Sequence, residues 1–543
     1  MAPSASSSLA VVSSARPREV HGTGLGALRD AVPGLRPDLG TAPDGPDVLV
    51  TGVTLDSRAV RPGDLYAALP GFTTHGAAFA GAARDAGAVA VLTDDAGLAR
   101  LRADGVRLPA LVADDPRAVL GGLAAVVHGH PAQALTLVGV TGTNGKTTTA
   151  YLIESGLRHL GLATGLIGTV ETRVGATRLP SARTTPEAPD LHALFALMRE
   201  EGVAAAVMEV SSHALAQHRV DGAVFDVALF TNLSQDHLDF HPSMEDYFQA
   251  KALLFTPEHS RRGVVCVDGE WGRRLAAQAG VPVTTLATRD GVEADWRVRD
   301  AAWPDLVLEG PASGGRPVVL HLHCHLPGDF NVANTAMAAL ALLQLGHAPA
   351  DVERALGEEP VVPGRMEVVT AGAPRGDDPR GIVDYAHTPD AVEAALRAIR
   401  PTTAGPLVVV LGAGGDRDTG KRPAMGAAAA RHADVVVVTD DNPRSEDPAA
   451  IRAEVERGAR DARDGTGAPD PLVLEVAGRA AAVERAVALA RERAAASAPG
   501  TVLVLGKGHE TGQEVAGTRH PFDDRDALRA ALDGTAYRPE DPA

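Results

Sequence analysis

Two periods of hydrophobicity alternate along this chain, and together they predict its elements. Short apolar runs recur at Val48–Val50, Val89–Leu92, Leu137–Val140, Ala204–Met208, Val227–Phe230, Pro406–Leu411, Asp434–Thr439 and Thr501–Leu505. Runs of that length suit strands buried on both faces. Between them, segments such as Thr148–His159 and Asp190–Glu201 place apolar residues at helical spacing. Strand–helix alternation of this kind predicts parallel sheets covered by helices, an α/β fold. The pattern divides into blocks: a Ser/Ala-rich disordered tail over residues 1–25 and an N-terminal α/β domain over 26–134. A central parallel-sheet domain follows over 135–362, then a Rossmann-like C-terminal α/β domain over 363–543. The loop-like His128-Gly-His-Pro131 closes the first domain, and Pro363-Gly-Arg365 opens the last.

Composition narrows the class. A chain of 543 residues is too long for one ordinary core. Its 45% hydrophobic and 22% charged residues are those of a soluble globular protein. A net charge of −18 argues against a nucleic-acid partner, so an anionic substrate must be met by local Arg and Lys. The 2 cysteines, Cys266 and Cys324, form no C-x-x-C pattern, which excludes a disulfide framework and suits the cytoplasm. No apolar run approaches the roughly 20 residues of a membrane span. His321, His323 and His325 should share one strand face, and without a second ligand-bearing segment they read as a half-exposed face rather than a zinc site.

The chemistry concentrates where strands end. The run ending at Val140 enters Thr141-Gly-Thr-Asn-Gly-Lys-Thr-Thr148, a glycine-rich turn opening a helix. Gly142, Thr143, Asn144 and Gly145 can wrap backbone N–H groups around phosphates. Lys146 neutralises charge, and the Thr147 and Thr148 hydroxyls can serve Mg²⁺ or phosphate oxygens. Val140 stands where the strict G-x-x-x-x-G-K-[ST] pattern has glycine. The next two strand runs deliver Glu209-Val-Ser-Ser-His213 and Thr231-Asn-Leu-Ser-Gln-Asp-His-Leu-Asp239. In the last block, strand runs deliver Gly412-Ala-Gly-Gly-Asp-Arg417, Asp440-Asp-Asn-Pro-Arg444 and Gly506-Lys-Gly-His-Glu510. Carboxyl ends of parallel strands are where open α/β sheets bind ligands.

Thr141–Thr148, Met208–Leu215, Asn232–Asp239, Val383–Pro389, Asp441–Arg444 and Gly506–Glu510, in that order, resemble the Mur ligases. These ATP-dependent enzymes add amino acids to the peptidoglycan precursor, and the last three motifs resemble their diaminopimelate-adding branch. The resemblance implies that ATP phosphorylates a terminal carboxylate and that an amine attacks the acyl phosphate. Lys146 then holds the transferred phosphate, Thr147 and Glu209 one Mg²⁺, and His237 a second. Lys251 matches the family's lysine carbamylated by CO₂, an anion able to ligate Mg²⁺. Asn331 and Asn334 resemble the adenine segment. Arg365, Asp384 and His387 resemble groups that reach ribose and phosphates from a C-terminal domain that closes on ATP.

The acceptor implied is UDP-N-acetylmuramoyl-L-alanyl-D-glutamate, a UDP-N-acetylmuramoyl-dipeptide. Leu55, Ser57 and Arg58 resemble its uracil-side contacts, with Thr74, His75 and Gly76 beside them. Thr184, Thr185, Ser211, Gln217 and Arg219 match positions that hold the muramoyl-dipeptide. For the incoming diaminopimelate, Arg417, Asp441, Asn442, Pro443, Arg444, Gly506 and Glu510 supply an Arg fork for the distal carboxylate and acceptors for the distal ammonium. A monomer acting on small molecules is expected. The competing readings are a lysine-adding ligase, a folylpolyglutamate-type ligase, or a regulatory subunit that keeps the fold without ligating.

Overall fold

The computed structural model describes residues 16–38, 48–71, 73–181, 183–238, 240–313, 316–372, 376, 378–416, 418–462, 470–494 and 498–538. They form two compact units, one of Met1–Asp300, Val307–Leu322 and Ala333–Glu358, the other of Ala301–Leu306, His323–Val332 and Glu359–Ala543.

Among the described residues the first unit holds a five-stranded sheet, a two-stranded one and most of an eleven-stranded one. The N-terminal sheet has five strands in the order Arg36–Asp38, Ala110–Val112, Ala90–Thr93, Asp64–Ala67, Gly52–Thr54. All its pairings are parallel except that of Arg36–Asp38. Residues 16–24, expected within a disordered tail, are instead anchored. Buried Asp64 needs a cation, and Arg16 supplies it at 2.6 Å, while Thr23–Gly24 pairs antiparallel with Leu49–Val50. The first part of the tail, residues 1–15, lies outside the described residues.

The central sheet orders its strands Thr177–Pro180, Glu171–Val174, Thr164–Ile167, Ala205–Glu209, Thr136–Thr141, Val227–Phe230, Gly263–Cys266, Val283–Ala287, Trp296–Ala302, Asp305–Ser313, Arg316–His323. From Thr164–Ile167 to Trp296–Ala302 every pairing is parallel. Helices Lys146–His159 and Ala188–Glu200 match the two helical segments read from sequence. Apolar strands are needed because both faces are covered: Leu137, Val138 and Val140 are fully buried. The phosphate-loop strand sits between Ala205–Glu209 and Val227–Phe230, so the loops after all three leave one sheet edge together. The strand Arg316–His323 ends before His325, so the three histidines do not share one strand face as expected.

The five-stranded and central sheets are tied through helix Pro116–Val127, which packs on Ala188–Glu200. Gly121 lets the same helix lie against the turn at Asp221, since a Cβ there would stand 2.3 Å from the Asp221 carbonyl oxygen. In the second unit a six-stranded sheet runs Glu367–Val369, Arg380–Asp384, Thr501–Leu505, Leu407–Leu411, Val435–Val438, Leu472–Glu475. Only its first strand is antiparallel. Apolar clusters cover both faces of that sheet. Among the described residues no helix is long and apolar enough to cross a membrane.

Candidate active site

The loop 141–148 folds as its glycines require. Gly142 (φ 143°) and Gly145 (φ 88°) take left-handed conformations, and a Cβ on Gly142 would strike Thr231 Oγ1 at 2.0 Å. The neighbouring strand end supports the turn: Asn144 N–H donates to Asn232 Oδ1 at 3.0 Å, and Thr231 Oγ1 donates to the Asn144 carbonyl at 2.6 Å. Thr143 lies 3.1 Å from the Tyr247 hydroxyl. Asn334 reaches the same helix, accepting from Thr149 Oγ1 at 3.2 Å. Asn331 belongs to the other unit, where its amide donates to the Pro327 carbonyl at 2.8 Å.

Two lysines converge on this loop. Lys146 Nζ donates to the carbonyls of Gly142 and Thr143, both at 2.9 Å. Lys251 Nζ donates to the same Gly142 carbonyl at 2.8 Å and stands 4.6 Å from the centroid of the Tyr247 ring. Burial first, and the Lys146 ammonium second, hold the Lys251 amine far below its ordinary pKa. Both effects favour the uncharged amine over the ammonium. The ring of His237 packs edge-on to His213 and Tyr247. Burial pushes its pKa down to about 4 despite Asp236, with Lys146 acting in the same direction as burial. A neutral imidazole is the metal-ligating form.

Glu209 is buried and gathers donors. Thr147 Oγ1 donates to its Oε2 at 2.9 Å, and Thr169 donates from its backbone N–H to Oε1 at 2.8 Å. A hydroxyl and a carboxylate side by side at a phosphate loop suit Mg²⁺, which takes oxygen ligands and keeps several waters. The residues present fit that ion.

The acceptor-side residues lie in the same unit. Thr185 Oγ1 donates to the Glu209 carbonyl at 2.9 Å and accepts from Ser211 N–H at 3.1 Å. Ser211 in turn caps helix Ser212–Ala216. Arg219 is buried: it lies 3.1 Å from Glu187, donates to Gln217 Oε1 at 2.6 Å and to the Thr185 carbonyl at 3.3 Å. Its guanidinium organises Thr185 and Gln217 as a built-in cation. Arg58 is exposed and paired with Asp56 at 2.7 Å. The turn at Leu55 and Ser57 is partly buried. The His75 ring is spoken for, with Nδ1 accepting from Ala77 N–H at 3.0 Å and Nε2 facing Asp94 at 2.9 Å. The Gly76 backbone is engaged as well, its N–H donating to the Leu69 carbonyl at 2.8 Å and its carbonyl accepting from the Tyr66 hydroxyl at 3.0 Å. Gly76 is required there, because a Cβ would lie 3.0 Å from the Ala68 backbone.

In the second unit Asp384 accepts from Met366 N–H at 2.9 Å and Ala386 N–H at 2.8 Å, and burial raises its pKa. Arg365 lies over the Tyr385 ring at 4.2 Å, and His387 Nδ1 is 3.0 Å from the Tyr385 carbonyl. At the ends of Val435–Val438 and Thr501–Leu505, buried Lys507 donates to Asn442 Oδ1 and Glu510 Oε2, both at 3.0 Å. Asn442 Nδ2 donates to Glu510 Oε2 at 2.9 Å. Burial favours a raised Asp441 pKa, but Lys507 and Arg479 outweigh it and keep the carboxyl below its ordinary range. Gly506 brings the second loop close, since a Cβ there would sit 2.6 Å from Asp441 Oδ2. Arg444, following buried Pro443, is left-handed (φ 53°) and donates from Nη1 to the Gly415 carbonyl at 2.5 Å. Arg417 lies outside the described residues.

Three family models match in sequence order. The Mur ligase family catalytic domain spans residues 49–137, the Mur ligase middle domain 140–342 and the Mur ligase glutamate ligase domain 364–508. A Streptomyces coelicolor protein named UDP-N-acetylmuramoyl-L-alanyl-D-glutamate--2,6-diaminopimelate ligase is 53% identical, over 96% of this chain and 98% of its own length. The chain belongs to the Mur ligase family.

A Corynebacterium glutamicum Mur ligase of the same name is 48% identical over 89% of this chain and 92% of its own. A solved structure of a ligase so named is 30% identical with a TM-score of 0.63, covering 95% of this chain and 99% of that one. The Mycobacterium tuberculosis folylpolyglutamate synthase, at 19% identity and TM-score 0.54 over 71% of this chain and 91% of its own, shares the fold. Within this Mur ligase, sequence patterns passed over Thr169, Glu187 and Lys507 as site residues. Lys507 stood inside a quoted motif, and a lysine at a strand end was its signal. Thr169 and Glu187 have no motif, and only folding brings them to Glu209 and Arg219.

Proposed function

We propose that this Mur ligase joins 2,6-diaminopimelate to UDP-N-acetylmuramoyl-L-alanyl-D-glutamate at the expense of ATP, as a cytoplasmic monomer. The observation that carries the reading is the meeting of Lys146 and buried Lys251 on one carbonyl, with the Thr147–Glu209 pair at the same loop. The full-length likeness to a diaminopimelate ligase supports the choice of substrates.

The reaction is phosphoryl transfer to a carboxylate followed by aminolysis, and negative charge collects on oxygen throughout. The glycine-rich turn presents backbone N–H groups to the triphosphate, and Lys146 follows the phosphoryl group being moved. Thr147 and Glu209 would hold Mg²⁺, which would neutralise part of that charge. Lys251, as a carbamate, offers anionic oxygens beside Lys146, and His237 a neutral nitrogen. Thr184, Thr185, Ser211 and Gln217 orient the dipeptide carboxylate, and the buried Arg219–Glu187 pair keeps them in place. Asn331, Asn334, Arg365, Asp384 and His387 are assigned to the adenosine and phosphates. Leu55, Ser57, Arg58 and the segment 74–76 are assigned to the uridine end. In the C-terminal unit Arg444, with Arg417, takes the distal carboxylate of diaminopimelate, and Asn442, Asp441 and Glu510 take its distal ammonium.

Omission assays test the reading. ADP release should require the acceptor nucleotide, and stoichiometric peptide-bond formation should require diaminopimelate as well. ATP hydrolysis that ignores the acceptor would overturn it.

A further inference from the structure

Thr169 has no task in the reaction as written, yet it touches two parts of the site. Its backbone N–H donates to Glu209 Oε1 at 2.8 Å and its hydroxyl donates to Glu209 Oε2 at 3.2 Å. The same hydroxyl lies 3.0 Å from Thr184 Oγ1. Thr147 Oγ1 donates to Oε2 from the other side at 2.9 Å. Gly168 lets the chain come this near, since a Cβ there would be 2.4 Å from Glu209 Oε1. An unbroken line of hydrogen bonds thus joins Thr147, Glu209, Thr169 and Thr184, all within one unit.

Proton counting gives the line a direction. A hydroxyl carries one proton and a carboxylate only accepts. The Thr169 proton therefore goes to Glu209, and its oxygen must accept the proton of Thr184. In this state Thr184 offers lone pairs, not a proton, to a ligand. We propose that Thr169 is a positioning residue that couples cation binding at Glu209 to acceptor binding at Thr184. When a divalent cation takes up the charge of Glu209, the carboxylate's hold on the Thr169 proton weakens. Thr169 then turns that proton to Thr184, whose own proton is released toward an oxygen of the acceptor. The inference rests on the proposed cation and acceptor sites. Linkage makes the effect reciprocal, so bound acceptor tightens the cation equally.

The test is calorimetric binding of UDP-N-acetylmuramoyl-L-alanyl-D-glutamate to the full-length protein, with and without Mg²⁺ and the non-hydrolysable nucleotide AMPPCP. In the unaltered protein, Mg²⁺ with AMPPCP should tighten acceptor binding by about fivefold or more, the scale of ordinary coupling between sites. Thr169→Val keeps the backbone N–H and loses the hydroxyl, and its coupling factor should fall to within about twofold of unity. Thr169→Ser should retain the coupling. Thr184→Val cuts the same bond from its far end, so it should lose the coupling too, and the double variant should lose no more than either single one. A general loss of stability cancels in the ratio. Full coupling in Thr169→Val, or in Thr184→Val if the first variant fails to fold, overturns the proposal, as does a natural protein without coupling. A natural protein that binds no acceptor under either condition overturns the acceptor assignment itself, and the proposal with it.

Discussion

Replacing Arg444 with alanine tests how the incoming amino acid is chosen. Arg444 follows buried Pro443 in a left-handed conformation (φ 53°), its Nη1 held by the Gly415 carbonyl at 2.5 Å and its Nε 3.6 Å from Glu514. These contacts fix the fork before any ligand arrives, so little side-chain entropy is lost on binding. Alanine suits the test because it has a Cβ and bears a left-handed penalty like that of arginine, whereas glycine would relax the turn. Truncating one partner of a buried charge pair costs about 2–5 kcal/mol. The Arg444 side chain is 27% exposed, which places it near the lower end. A loss of about 2–3 kcal/mol corresponds to roughly 30- to 140-fold in kcat/KM for diaminopimelate. Lysine has no distal carboxylate, so its poor use should change little. Steady-state kinetics with both substrates give the ratio, in which a folding defect cancels. An unchanged diaminopimelate-to-lysine ratio in Arg444→Ala would mean that Arg444 only shapes its turn.

Further predictions concern the groups that folding brought together. Lys251→Ala should nearly abolish ligation, with partial rescue by short carboxylates, and full activity in CO₂-free buffer would remove the carbamate from the account. Lys507→Met leaves Asn442 Oδ1 and Glu510 Oε2 without their buried donor, so KM for diaminopimelate should rise about tenfold or more while KM for ATP holds; equal changes in both would point to a general defect. Arg219→Gln should raise the acceptor KM far more than the KM for ATP, with Glu187 keeping Arg117 at 3.1 Å and Arg183 at 3.6 Å as partners; equal changes in both would remove Arg219 from the acceptor site. Asp190 has its pKa raised to about 6 by burial and then by Glu187. A carboxyl with a raised folded pKa weakens the fold once it ionises, so stability at this site is lost as pH climbs from its unfolded value to about 6. Asp190→Asn should then stabilise the protein at pH near 7 by about 1–2 kcal/mol, and by nothing measurable at pH near 4, in denaturant titrations.

The fold was legible because each parallel strand buried on both faces writes itself as an apolar run. Val227–Phe230 and Thr501–Leu505 coincide with their runs, Leu407–Leu411 differs by a residue at one end, and Ala205–Glu209 is shifted by a residue at both. The phosphate loop was legible because its geometry demands glycine at 142 and 145. What stayed hidden depends on pairing across the chain. The anchoring of Arg16 comes from buried Asp64, which lies 48 residues on. Arg219 reads in sequence as a cation awaiting an anionic ligand, yet Glu187 and Gln217 claim it. His75 reads as a ligand, yet Ala77 and Asp94 use both ring nitrogens. In each case a polar group that looked available is satisfied inside the protein, as burial requires.

The most direct measurement is the mass of the product formed when the purified protein meets UDP-N-acetylmuramoyl-L-alanyl-D-glutamate, Mg²⁺, ATP and an equimolar mixture of 2,6-diaminopimelate, lysine and glutamate. The account predicts one nucleotide product, heavier than the acceptor by diaminopimelate less water, with one ADP and one phosphate released for each bond made. A product carrying lysine or glutamate, or ADP released with no new peptide bond, would contradict it.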